Sequence, residues 1–206
     1  MAPLMAKDGG GGGFEQVSEG VHRGVCYSIY DLGTHRDDKY QKDVHKVLLI
    51  WELPDERIEV ERNGEKKDLP RVISKKYTLS LGEKATLRKD LQTWRGRAFT
   101  PEELKGFDLK NVLSKNCQLQ VIHTTKEKGK TYANVAAIIP MPKNSAKFSP
   151  ENPVRFFSFA DGSLEIPDGT PDWIKDEIKA SEEWQTLSGF DPGQQPESNP
   201  DDDIPF

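Results

Sequence analysis

No stretch of this chain approaches the roughly 20 apolar residues needed to cross a bilayer, so no membrane contact is expected. Met1 to Asp8 lacks the apolar core of a secretion signal. Cysteine is scarce. Cys26 and Cys117 are the only two, far apart and in no C-x-x-C pair, which argues for a cytosolic chain with small buried thiols. Metal-ligand spacing is missing as well. His22 and Cys26 share a strand face but stand about 13 Å apart at ~3.3 Å per residue, too far to chelate one ion. No G-x-S-x-G, P-loop or H-E-x-x-H occurs. Carboxylates crowd charged loops such as Asp37-Asp38 and Asp55-Glu56, where they read as solvated charge and not as a nuclease cluster. The chain is expected to be no enzyme and to need no metal or cofactor. Apolar residues make up only 34%, low for a globular protein, so part of the chain is expected to stay unpacked.

What is present is charge, unevenly divided. The net charge of −5 hides two opposite halves. Residues 14–147 carry 25 Lys and Arg against 19 Asp and Glu, a net +6, whereas residues 148–206 carry −11. A basic body with an acidic tail separates a polyanion-binding surface from a partner-docking one.

The chain opens on a flexible Gly-rich segment (1–16) containing Gly9 to Gly13. Glu19 to Leu32 alternates as a long strand, with Val21, Arg23, Val25, Tyr27 and Ile29 on one face. His45 to Leu53 is the most apolar run and reads as a central strand that stops at Pro54. Ile58 to Arg62 and Glu65 to Leu69, joined by Asn63-Gly64, predict a protruding β-arm. Arg71 to Leu79 is a third strand. Ser80-x-x-Glu83 predicts a capping box, opening a helix with Leu87, Leu91 and Trp94 on one stripe. Thr100-Pro101-x-Glu103 predicts a second capped start. Cys117 to Thr125 and Thr131 to Ile139 complete the strands. Three strands, a helix and two strands predict a mainly β fold, the five-stranded OB-fold barrel with a helix between strands 3 and 4, over residues 17–143. Residues 144–188 form an extension with an amphipathic helix at about 171–187, its face drawn by Trp173, Ala180, Trp184 and Leu187, with Ile174 and Ile178 beside it and Glu177 interrupting. Residues 189–206 are a disordered linker and acidic tip.

The tip itself, Asp201-Asp202-Asp203-Ile204-Pro205-Phe206, carries three carboxylates and a terminal Phe behind a stiffening proline. It resembles the end of bacterial single-stranded DNA-binding proteins. The blocks Ser74-Lys75-Lys76-Tyr77-Thr78-Leu79, Leu87-Arg88-Lys89-Asp90-Leu91, Trp94-Arg95-Gly96-Arg97-Ala98-Phe99-Thr100 and Lys130-Thr131-Tyr132-Ala133-Asn134 resemble the OB-fold single-stranded DNA-binding proteins of phage and prophage replication modules. The resemblance implies coating of single-stranded DNA, recruitment of replication and recombination enzymes through the tip, and residence in a bacterial cytoplasm near the nucleoid. A homodimer is compatible with it, but the housekeeping tetramer does not carry over.

Sequence-tolerant binding of single strands needs cations for phosphates and aromatic faces for bases. The candidates are Lys75, Lys76 and Tyr77 on the third strand, Trp51 on the second, and Tyr27 or Tyr30 on the first. Arg95, Arg97 and Phe99 follow the helix, and Lys126, Lys128 and Lys130 tip the last hairpin. Tyr77 is the preferred stacking ring, and Trp94 is assigned to the core. The other reading is an OB-fold interaction module whose basic face meets an acidic protein.

Overall fold

The computed structural model describes residues 16–62, 65–125 and 130–189. The tip at 201–206, the linker from 190, the glycine tract, and Lys126 and Lys128 lie outside them. The fold is mainly β, a strongly curled antiparallel sheet with a few helices.

Five strands set the sheet: β1 (Gly20–Asp37), β2 (Lys42–Arg62), β3 (Glu65–Thr78), β4 (Asn116–Thr125) and β5 (Thr131–Ile139), in the order β3-β2-β1-β4-β5. The curl originates in β1. Its first residues, Gly20 to Val25, pair with β4, and Val25 to Asp37 pair with β2. Two register shifts, between Cys26 and Ser28 and between Asp31 and Gly33, bend it between those partners. The first shift also breaks the simple alternation expected of this strand. Cys26 and Ile29 enter the inner core, while Tyr27 and Tyr30 turn to the outer face.

β2 does not stop at Pro54. It runs on into the arm, where Arg57 to Arg62 pair with Glu65 to Pro70. Pro54, Asp55 and Glu56 fall in a register shift between Leu53 and Arg57, the kind of position where a strand tolerates proline. The displaced carboxylates hold the start of β1. Asp55 pairs with Arg23 at 2.5 Å, and Glu56 accepts from Ser18 at 2.8 Å.

Between β3 and β4 lie α1 (Thr86–Arg95), α2 (Pro101–Lys105) and a 3-10 turn at Leu109–Val112. The capping box at Ser80 does not form. The Ser80 hydroxyl accepts from the Gly82 amide in a local turn, and α1 starts at Thr86 behind an uncapped Ala85. The Thr100–Glu103 box does form at α2, with both reciprocal bonds. From α1, Leu87, Leu91 and Trp94 drop into the inner core beside Leu49, Trp51 and Leu119. The Trp51 and Trp94 rings lie 6.0 Å apart.

The outer face of β1 and β2 is covered too. β6 (Arg155–Phe157) adds to β1 in parallel, and α3 (Asp172–Lys179) and α4 (Glu182–Ser188) follow. Phe157, Phe159, Ile174 and Ile178 pack there on Tyr30, Leu32, Leu48 and Ile50. Burial on both faces explains why His45 to Leu53 is continuously apolar. Its one acid, Glu52, is fully buried and accepts from the amides of Glu151 and Asn152, each at 2.8 Å, and from Asn152 Nδ2 at 2.7 Å.

The single C-terminal helix of the sequence reading is two helices. Ser181 breaks it, accepting from the Trp184 amide as N-cap of α4. The buried face is Ile174 and Ile178, while Trp173 and Leu187 are 52% and 45% exposed. The break fits a tight contact with Gly33, whose φ is +72°. A Cβ at Gly33 would lie 2.4 Å from Ser181 Cβ, so only glycine suits this position.

Candidate nucleic-acid interface

The structure corrects the aromatic half of the expected site. Tyr27, Tyr30, Trp51, Tyr77 and Phe99 are all under 9% exposed, so none of them offers a free face for a base. Trp51 is a core ring. Burial pushes the Tyr27 phenol up to about 12. Tyr30 accepts a 3.2 Å hydrogen bond from Thr170 on the outer face. Tyr77 points inward and donates to Asp90 of α1 at 2.9 Å. Trp94 is core, as expected, and donates from Nε1 to the Asn116 carbonyl.

The cations divide differently. Lys75 turns toward α1 and pairs with Asp90 at 2.7 Å. Lys76, on the opposite face of β3, meets Glu177 of α3. Arg95 lies between the rings of Phe99 and Phe107, 4.4 and 4.8 Å from their centroids, and pairs with Glu103. Arg97 grips the same carboxylate at 2.8 and 3.0 Å. Those bonds, with the Thr100 amide, hold Glu103 down to about 2. Arg95, Arg97 and Phe99 therefore brace α2 against the end of α1. Lys130 extends over Tyr132, 5.6 Å from its centroid.

The exposed rings are others. Tyr40 and Trp173 are 62% and 52% exposed. Tyr40 tips the β1–β2 hairpin, where Asp37 Oδ1 accepts from the amides of Lys39 and Tyr40 and fixes the turn. The ammonium groups of Lys39 and Lys42 lie 5.1 and 5.4 Å from its ring centroid. Neither lysine has an ion pair among the described residues. In sequence this loop showed only charges of both signs. The overlooked signal was one aromatic flanked by lysines at a hairpin tip.

At the other end of the sheet a groove of about 560 Å³ runs between the arm and β5. Ile58, Val60 and Leu69 form one wall, Ala133 the other, and Arg71 to Ser74 the floor. Among the described residues, Arg71 is the one cation in its lining. Along the chain, residues 71–147 hold 16 Lys and Arg against 6 Asp and Glu, a net +10. Lys84, Lys89, Lys105, Lys115, Lys143 and Lys147 have no ion pair among the described residues. The described geometry thus offers lysines without ion pairs, a mostly apolar groove, a lysine-flanked Tyr40 at the β1–β2 tip, and Tyr132 beside Lys130 at the start of β5. No family model matches this chain, and no curated protein matches it.

Proposed function

We propose that this chain is a non-catalytic, sequence-tolerant single-stranded DNA-binding protein with an OB-type barrel, which recruits partner enzymes through its Asp201–Phe206 tip. The strand order supports the OB reading: three meandering strands, a helix whose Leu87, Leu91 and Trp94 plug the inner core, then a hairpin. In that architecture oligonucleotides lie on the face of strands 2 and 3, between the β1–β2 and β4–β5 loops; here the extension covers the outer face of β2 and leaves the outward row of β3 open. One observation carries the functional reading. The β1–β2 loop presents the exposed ring of Tyr40 with the Lys39 and Lys42 ammonium groups 5.1 and 5.4 Å from its centroid, and the half-buried Tyr132 near the start of β5 has the Lys130 ammonium 5.6 Å from its own.

The test is fluorescence anisotropy with labelled oligo-dT at several salt concentrations, against a duplex of equal length. Binding should favour the single strand, and its log–log salt slope should be clearly negative, about −0.7 per phosphate neutralised. A flat salt response, or equal affinity for duplex, refutes the reading. A gain of affinity for an acidic protein in place of DNA would identify the barrel as an interaction module. The recruiting role is tested by pull-down from a bacterial lysate with wild type, a chain lacking residues 201–206, and Phe206→Ala. Enzymes captured by wild type alone support it, and equal recovery by all three removes it.

A further inference from the structure

Trp173 has no packing role that accounts for its place. On α3 the buried residues are Ile174 and Ile178, and Trp173 remains 52% exposed. Its position over the sheet follows from its neighbours. Thr170 bonds Tyr30, and Ser181 packs on Gly33, so α3 runs in the direction of β1. β3 runs the same way, since both strands are antiparallel to β2. Glu177 reaches sideways to Lys76 of β3. Trp173 is one turn earlier on that side, about 6 Å back along the helix. Two residues back along β3 from Lys76, about 6.6 Å, is Ser74, and then Val72, both exposed. Trp173 therefore lies on the side of α3 that is turned toward the outward row Val72, Ser74 and Lys76, and Val72 and Ser74 also floor the groove below the arm.

We propose that Trp173 is a base-stacking platform for single-stranded nucleic acid on the outer face of β3, and that the Glu177 carboxylate holds the Lys76 ammonium where a phosphate would take its place. The inference rests on the single-strand reading above and adds to it the two residues that make the contact. A half-exposed indole one helical turn from a paired lysine offers a nucleotide both of its contacts, base on ring and phosphate on ammonium. The side chain of Lys76 stays 41% exposed despite its ion pair, so a phosphate can reach it. The acids nearby do not block the ring. Asp172 is paired with Lys175 at 3.1 Å, and Asp176 falls midway between Ile174 and Ile178, hence on the side of the helix away from the sheet.

The experiment uses the full chain and labelled oligo-dT. Wild type, Trp173→Ala, Trp173→Phe and Glu177→Gln are titrated by anisotropy across a salt series, with thermal melts to confirm the fold. Trp173→Ala should bind about 5- to 150-fold more weakly, the equivalent of one lost base stack, and Trp173→Phe should recover most of that. Glu177→Gln should bind more tightly, with a salt slope steeper by about 0.7 because one more lysine is available to the phosphates. Trp51 and Trp94 are buried and Trp184 packs against the outer cluster, so oligo-dT should quench the tryptophan emission of wild type far more than that of Trp173→Phe. If wild type binds and Trp173→Ala binds equally well, or Glu177→Gln changes neither affinity nor slope, this assignment is overturned while the single-strand reading stands. If wild type itself ignores oligo-dT at low salt, that reading falls.

Discussion

The hydroxyl of Tyr77 donates to Asp90 at 2.9 Å, joining the end of β3 to the middle of α1. Lys75 binds the same carboxylate oxygen at 2.7 Å, so one acid on the helix collects two groups of the strand. Burial and the neighbouring Asp90 raise the Tyr77 phenol well above its usual range. It remains protonated and donating at every pH the fold survives. Tyr77→Phe should cost about 1.5–3 kcal/mol, the range for a hydrogen bond to a charged group. Tyr77→Ala should cost about 3–5 kcal/mol through the cavity left behind. Denaturant titration gives both values. Affinity for oligo-dT, measured on folded protein, should be unchanged, because the ring is buried.

Glu52 anchors the C-terminal extension in a different way. Its carboxylate satisfies two backbone amides and one side-chain amide from residues 151–152. Glu52→Ala would strand those donors in a buried site at about 1–3 kcal/mol each. The expected outcome is a lower melting temperature together with faster proteolytic cleavage between residues 148 and 189, since these bonds tie the start of that segment to the sheet. Unchanged cleavage would show that the outer apolar cluster alone holds the extension.

Much of the fold could be read from the sequence because its signals were local. The strands, the paired arm on either side of residues 63–64, the Thr100 cap and the Leu87/Leu91/Trp94 stripe all appear at or near their expected positions. The misreadings share one cause, namely partners distant in sequence. Alternation placed Tyr77 with Ile73 and Lys75, but nothing local says that this row faces α1. The bulge at Cys26–Ser28 reverses facing in mid-strand, and no residue there announces it. Pro54 looked like a terminator because the register shift that accommodates it is a property of two strands. Trp173 was given to a buried stripe because a single helix was assumed. The break at Ser181 packs on Gly33, nearly 150 positions earlier in the chain. In the proposed interface, charge singles out Lys76 in the sequence, whereas Tyr40 is distinguished by its exposure, which the sequence does not show.

Tyr40→Ala should leave stability within about 0.5 kcal/mol of wild type, as expected for an exposed tip. It should weaken oligo-dT binding by the value of one stack, about 1–3 kcal/mol. Lys39→Ala with Lys42→Ala should act through charge instead, lowering affinity and reducing the salt slope by up to about 1.4. Anisotropy across a salt series separates the two effects. Loss of affinity without any change of slope in the double-lysine variant would mean that the lysines only support the ring.

The strap formed by α3 and α4 should be held in a pH-dependent way, and the sign follows from one imidazole between two carboxylates. His45 Nε2 lies 2.6 Å from Asp31 Oδ1, and its Nδ1 lies 3.4 Å from Glu183 Oε1. Glu183 also accepts from the Thr34 amide and hydroxyl, both at 2.6 Å. The same Asp31 accepts from the Gly33 amide at 3.0 Å and the Phe159 amide at 3.4 Å. Only the doubly protonated ring can donate to both acids at once. The Asp31 bond, opposed by partial burial and helped by both charges, raises His45 above its ordinary 6.5. Burial pushes the Glu183 carboxyl up, but the Thr34 bonds and the imidazolium outweigh it, and the net shift is downward from 4.5. A raised histidine contributes stability that is complete below pH 6.5 and is lost as pH rises through its folded value. A lowered carboxylate contributes stability that is present above pH 4.5 and is lost as pH falls through its folded value. The latch should be firmest between about pH 4.5 and 6.5 and should loosen on the alkaline side. Hydrogen exchange at residues 172–188, corrected for the intrinsic pH dependence, should show protection falling between pH 6 and pH 9. His45→Gln keeps a neutral donor and acceptor in place but cannot titrate, so its protection should stay level over that range. Parallel profiles in the two proteins would place the pH dependence elsewhere and reduce His45 to a neutral hydrogen-bonding group.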